Sequence, residues 1–129
     1  MNILKVIWIS FVLSIAGSVH AKNFDAIEIQ LFAQQQMENR LDGGFFKFID
    51  FERQQIVKSV LIDSHPIMFK GDDLYVVCVT VADESGSEYP VDIYISEIKG
   101  VLLINNITVG DVARGNFRKI AKAGLIKKM

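Results

Sequence analysis

The sequence predicts an α+β fold. An N-terminal helix packs on a curved antiparallel sheet of four to five strands, and a C-terminal amphipathic helix closes the chain. Three observations carry this prediction. Apolar residues recur at helical spacing across 24–41. From 45 onward, short β-branched and aromatic runs alternate with turn residues. After Asp111 the helical spacing returns, now with a basic outer face. Strands in series with helices outside them mark α+β rather than a βαβ repeat.

The first residues read as a secretory leader. Lys5 supplies the positive start, 6–17 is a short apolar run, and Val19-His20-Ala21 offers small or short residues before a cut after Ala21. The run is shorter than the ~20 residues a spanning helix needs. The leader therefore occupies 1–21, and 22–129 forms one domain, periplasmic or secreted. No later stretch is apolar enough to span a bilayer, so no transmembrane segment is expected after cleavage.

The helix over 24–41 places Phe24, Ile27, Leu31 and Leu41 on one face, widened by Phe32 and Met37. Asp42-Gly43-Gly44 stops it, because glycine takes the left-handed cap conformation cheaply. Strands follow at 45–52 and 55–63. The stretch "SHPIMFKGDD" reads as a connection with a Pro and a Gly-Asp turn. Residues 74–82 are apolar on both faces, as in a central strand. Residues 83–88 make a hairpin connection. In 89–96, Tyr89, Val91, Ile93 and Ile95 point one way, while Pro90, Asp92, Tyr94 and Ser96 point the other. Pro90 near a strand start hints at a sheet edge. The last strand is 101–109. Asp111 is placed to cap the final helix. Val112, Phe117, Ile120, Ala121 and Leu125 form its docking stripe, with Arg114, Arg118, Lys119 and Lys122 largely outside it. A sheet wrapped on a long first helix suggests a cystatin-like or nuclear-transport-factor-like cone.

Charge is divided unevenly. From Lys22 to Asp111 there are seven Lys/Arg and fifteen Asp/Glu, a net of −8, whereas 112–129 carries +6. Chemistry is sparse. His65 is the sole histidine after the leader, and without a second nitrogen or thiolate ligand it argues for no metal site. Cys78 is the only cysteine, so no internal disulfide forms, and its strand context reads as a buried apolar position. Asp72-Asp73 and Asp83-Glu84 sit in turns. Asn106 opens a glycosylation sequon inside a strand. There is no Gly-rich phosphate loop, nucleophile elbow or Ser/His/Asp set. The expectation is a non-enzyme without a cofactor. An exported chain with only two arginines in its basic helix is not expected to bind nucleic acid.

The segments "YPVDIYIS", "GVLLINNITVGDV" and "GNFRKIAKAGLIKKM" resemble the end of the MlaC-type (toluene-tolerance) periplasmic phospholipid-binding proteins. Val91-Asp92-Ile93-Tyr94 stands at the family's "VDYR" place, Gly115-Asn116-Phe117-Arg118 at its "NNYR" place, and Gly124-Leu125-Ile126 in its terminal helix. The chain departs from that pattern at Val101, Asn105 and Gly110-Asp111-Val112, and it has only one long helix before the sheet where the family has a larger helical part. The resemblance implies a lipid carrier.

Two functional expectations follow. One is a binding module for an apolar or amphipathic ligand, with Arg114, Arg118, Lys119 and Lys122 meeting an anionic headgroup or membrane surface. Asp92, Tyr94, Asn106 and Phe117 would then line a pocket or sheet face. The other is a protein-interaction module, an accessory subunit or inhibitor of another exported protein, with Phe45, Phe46 and Phe48 as the partner patch. A cavity of several hundred Å3 between sheet and first helix would favour the first; a filled core with exposed aromatic surface would favour the second.

Overall fold

The computed structural model describes residues 23–62 and 66–129. The expected leader, its expected cut after Ala21 and His65 lie outside them. Helix α1 spans Ala26–Glu38. It starts where Asp25 and Glu28 form a reciprocal capping box: the Asp25 carboxylate accepts from the Glu28 N–H at 2.8 Å, and the Glu28 carboxylate accepts from the Asp25 N–H at 3.0 Å. The helix is shorter than 24–41, and its buried ridge is Ile29, Ala33 and Met37. Ile27, Leu31 and Leu41 are exposed, against expectation. The cause is apolar side chains distributed around the helix, so periodicity alone does not select the face. Contact with the sheet selects the i, i+4, i+8 ridge that has the small Ala33 at its centre.

The strands are β1 (Phe46–Asp50), β2 (Gln55–Leu61), β3 (Ile67–Gly71), β4 (Leu74–Asp83), β5 (Glu88–Ile98), β6 (Val101–Val109) and β7 (Lys127–Lys128). They form one open antiparallel sheet. β4 is its hub. One edge pairs with β5 from Leu74↔Ser96 to Ala82↔Glu88. The other edge is shared, β3 taking Leu74–Cys78 and β2 taking Val81–Asp83. β1 lies outside β2, β7 outside β3, and β6 outside β5. The seven strands exceed the four to five expected: β3 arises within "SHPIMFKGDD", where Pro and turn residues flank its Ile-Met-Phe run, and the two-residue β7 follows the final helix.

Pro90 is not at an edge, since β5 lies between β4 and β6. Its carbonyl accepts from the Gly110 N–H at 2.9 Å. A strand residue points its N and C=O to the same neighbour, so the missing donor faces a site where β6 has already ended at Val109.

The sheet is covered by a helix on each face. Tyr75, Val77, Val79 and Val81 of β4 with Val91, Ile93 and Ile95 of β5 pack with Ile29, Ala33 and Met37 of α1. On the alternate face, Val76 and Cys78 pack with Phe117 and Ile126. Between Tyr94↔Asn106 and Ile95↔Ile104 the register shifts, leaving Asn105 as an extra residue on β6. This bulge resets the alternation, so Leu102 and Ile104 join Ile107 and Val109 on the α1 side.

Helix α2 spans Asp111–Lys122. Its N-cap is Gly110 at φ 105°, not Asp111, which is already the first helical residue and makes no side-chain cap. Asp111 instead places a negative charge at the positive helix end. The helix stops at a Schellman motif. Gly124, at φ 80°, donates to the Ala121 carbonyl at 3.0 Å, and Leu125 donates to that of Ile120 at 3.3 Å. The chain then turns back, buries Ile126 and pairs Lys127 and Lys128 with β3. This return requires Gly71: a Cβ there would meet the Leu125 carbonyl oxygen at 2.8 Å.

Candidate functional site

A polar cluster lies where α2 crosses the sheet. Cys78, Asp92 and Thr108 are successive cross-strand partners on β4, β5 and β6. Arg114 reaches down from α2. Its Nε donates to Asp92 Oδ2 at 3.0 Å, and its Nη2 lies 2.8 Å from Oδ1 in a charge contact. That second contact lies outside hydrogen-bonding geometry, so Oδ1 has no hydrogen-bond partner. Nη2 also lies 3.4 Å from the Val79 carbonyl and 3.5 Å from that of Val91. The Asp92 side chain is 1% exposed and that of Arg114 19%. Burial, and then the adjacent Asp92 carboxylate, push the Cys78 thiol up to about 12. Burial and the charge of Asp92 also raise the Tyr94 hydroxyl.

This geometry divides the residues singled out from sequence. Arg114 is turned inward and committed to Asp92, so it is not on the outer basic face. Arg118, Lys119 and Lys122 are exposed and share that face. Phe117 is buried and stacks edge-on against Phe69, with ring centroids 4.9 Å apart; it is core rather than pocket lining. Tyr94 is half-buried beside Asp92, and Asn106 is exposed on β6, its Oδ1 accepting from the Ile107 N–H at 2.9 Å. The aromatic patch is also redistributed. Phe46 is buried, Phe45 is half-buried, and Phe48 packs edge-on to Tyr89 at 4.9 Å.

The exposed apolar surface lies on the other face of the same hairpin. Ile49 and Ile56 are cross-strand partners, 56% and 72% exposed. Val60 continues their face along β2, Ile62 is exposed just past its end, and Phe51 at the hairpin turn is 82% exposed. The signal was present in the sequence: Phe46, Phe48 and Val57 alternate with Ile49, Ile56 and Val60, so the hairpin carries apolar residues on both faces, the outer one interrupted by the Lys47↔Lys58 pair, and only the inner one faces α1.

Two clefts adjoin these surfaces. One, of about 210 Å3, lies between α1 and the sheet and is bounded by Gln30, Met37, Leu61 and Ile93. The other, of about 390 Å3, lies between the β1–β2 turn, the start of β5 and the β6–α2 junction. Phe48, Phe51, Tyr89 and Val112 give it apolar walls, and Asp50, Glu52, Glu88 and Asp111 give it carboxylates. Among the described residues its one cation is Arg53, which donates to the Tyr89 hydroxyl at 3.1 Å and lies 3.7 Å from Asp50. Nothing in the sequence marks this cleft, because its residues come from three separated turns.

No protein-family model, curated protein or solved structure matches the chain. Among the described residues, no group of three or more His, Cys, Asp and Glu could hold a metal, and no helix is long and apolar enough to cross a membrane.

Proposed function

We propose that the chain is an exported, non-enzymatic interaction module that docks on a protein partner through the outer face of the β1–β2 hairpin. One observation carries the reading: Ile49 and Ile56 form an exposed apolar pair on a strand face left uncovered by both helices, extended by Phe51 and Val60. Apolar side chains grouped on a regular strand face mark an interface rather than scattered surface residues. The space between α1 and the sheet supports the same choice. Its cleft of about 210 Å3 is smaller than the ~300 Å3 at which ligand pockets begin, whereas two acyl chains would need more. A cone-like curvature of the sheet belongs to this proposal and is supported by the β1–β2 turn reaching Tyr89 of β5. Replacing Ile49 and Ile56 with Ser tests the reading. Partner retention should fall while the melting temperature holds; unchanged retention would count against this face.

A second reading rests on Arg118, Lys119 and Lys122, which are exposed on one helix face. Peripheral contact with anionic lipid, in line with the MlaC-type resemblance, would draw ~1 kcal/mol from each. Changing all three to Gln should abolish binding to anionic vesicles at low salt. Absence of vesicle binding by the wild-type protein would remove this reading.

A further inference from the structure

We propose that the 390 Å3 cleft at the β1–β2 turn accepts a cationic side chain, Lys or Arg, flanked by apolar residues on a segment of the protein partner. This rests on the interaction reading above and adds the chemistry of the partner. Two independent features converge there. The first is an excess of negative charge without a protein counter-ion. Among the described residues, four carboxylates, Asp50, Glu52, Glu88 and Asp111, share the cleft with one guanidinium, Arg53. Arg53 is already engaged by Asp50 and the Tyr89 hydroxyl. Asp50 is further committed to its own turn, accepting from the Glu52 and Arg53 N–H groups at 3.0 and 3.1 Å. Glu52, Glu88 and Asp111 have no ion pair among the described residues. The second feature is unsatisfied apolar surface in the same lining. Phe51, Ile49 and Val112 are all exposed there.

A ligand that satisfies both needs has a positive end on an apolar stem with apolar neighbours. Lys and Arg are built this way, laying a hydrocarbon stem along apolar surface while the charge meets a carboxylate. The aromatic walls add a face for the cation. An anionic headgroup would meet three unpaired carboxylates and be repelled, so this end of the molecule suits the opposite charge from the basic face of α2. The volume suits one or two side chains, since pockets of ~300 Å3 and above hold small ligands.

The test titrates the full secreted chain with acetyl-Leu-Lys-Phe-Lys-Leu-amide and follows backbone amide shifts. Binding should weaken with salt and move amides within 50–53, 87–90 and 109–112. The variant carrying Glu52→Gln, Glu88→Gln and Asp111→Asn should bind about tenfold more weakly, as expected for the loss of a few exposed charge pairs. These groups are exposed and cap nothing, so the variant should melt like wild type; E52Q with E88Q alone preserves the test if D111N loosens α2. The Glu-for-Lys peptide should not bind. Shifts elsewhere, equal binding by the variant, or equal binding of a Gly-Lys-Gly-Lys-Gly peptide would each overturn the proposal. Salt-sensitive self-association of the wild type that the variant loses would replace the outside partner with a second copy. The interaction reading fails separately, in an Ile56→Ser, Val60→Ser variant, whose positions lie outside the cleft lining and which leaves Ile49 and the carboxylates in place.

Discussion

Replacing Arg114 with Met should be among the costliest single changes outside the α1 core. The substitution keeps helix propensity and stem length but removes the cation facing Asp92. Asp92 is buried beneath α2, with an Nε–Oδ2 hydrogen bond of 3.0 Å and an Nη2–Oδ1 contact of 2.8 Å. Leaving such a carboxylate without its partner costs about 3–5 kcal/mol, against a total stability of about 5–15 kcal/mol for a domain. At a urea slope of about 1.5 kcal/mol/M, the midpoint should drop by roughly 2–3 M. The double variant Arg114→Met, Asp92→Leu replaces the pair with apolar groups of similar size, and should recover most of the loss. The assay is urea unfolding followed by far-UV circular dichroism. A single-variant loss below about 1 kcal/mol, or a double variant no better than the single, would refute the view that this pair clamps α2 to the sheet.

Cys78 should resist thiol reagents at neutral pH in the native protein, reacting about a thousandfold slower than after unfolding. Its thiol is raised from 9.0 to about 12, so stability should be full below about pH 9 and fall as pH rises toward 12, where only the unfolded chain loses the proton. In Cys78→Ala that alkaline slope should flatten in melting curves. Gly71→Ala should push the Leu125 carbonyl away and release β7, costing about 1–3 kcal/mol and exposing the amides of 126–129 to hydrogen exchange. Ile29→Ala should cost about 2–5 kcal/mol, while Leu31→Ala should stay within about 0.5 kcal/mol; equal losses in chemical denaturation would show that the wrong helix face has been assigned.

The α+β class and the facing of a strand were legible where one period ruled. The alternation of 89–96 placed Tyr89, Val91, Ile93 and Ile95 correctly, because β5 is long and has a distinct polar face. The α1 ridge was not legible, because Phe24, Ile27, Ile29, Leu31, Phe32 and Met37 surround the helix and sheet contact chooses among them. The bulge at Asn105 was written in the spacing Leu102, Ile104, Ile107, Val109, whose step of three between two steps of two marks one extra residue. Arg114 looked like its basic neighbours, since nothing local reveals that Asp92, on another strand, will lie beneath it. The cleft was hidden for the same reason: its walls meet only after three turns are brought to one end of the sheet. The C-terminal return to β3 depends on Gly71 and Gly124 acting together, a long-range match that helical spacing does not report.

On the proposed reading, the outer face of the β1–β2 hairpin is an occupied surface. Photocrosslinking in the native host tests it most directly, with the reactive group at Ile56 and, as a control, at exposed Glu38 on α1. One discrete protein adduct is expected from the Ile56 position and none from Glu38. Equal yields at both positions, or no adduct at Ile56 with the protein folded and exported, would contradict it.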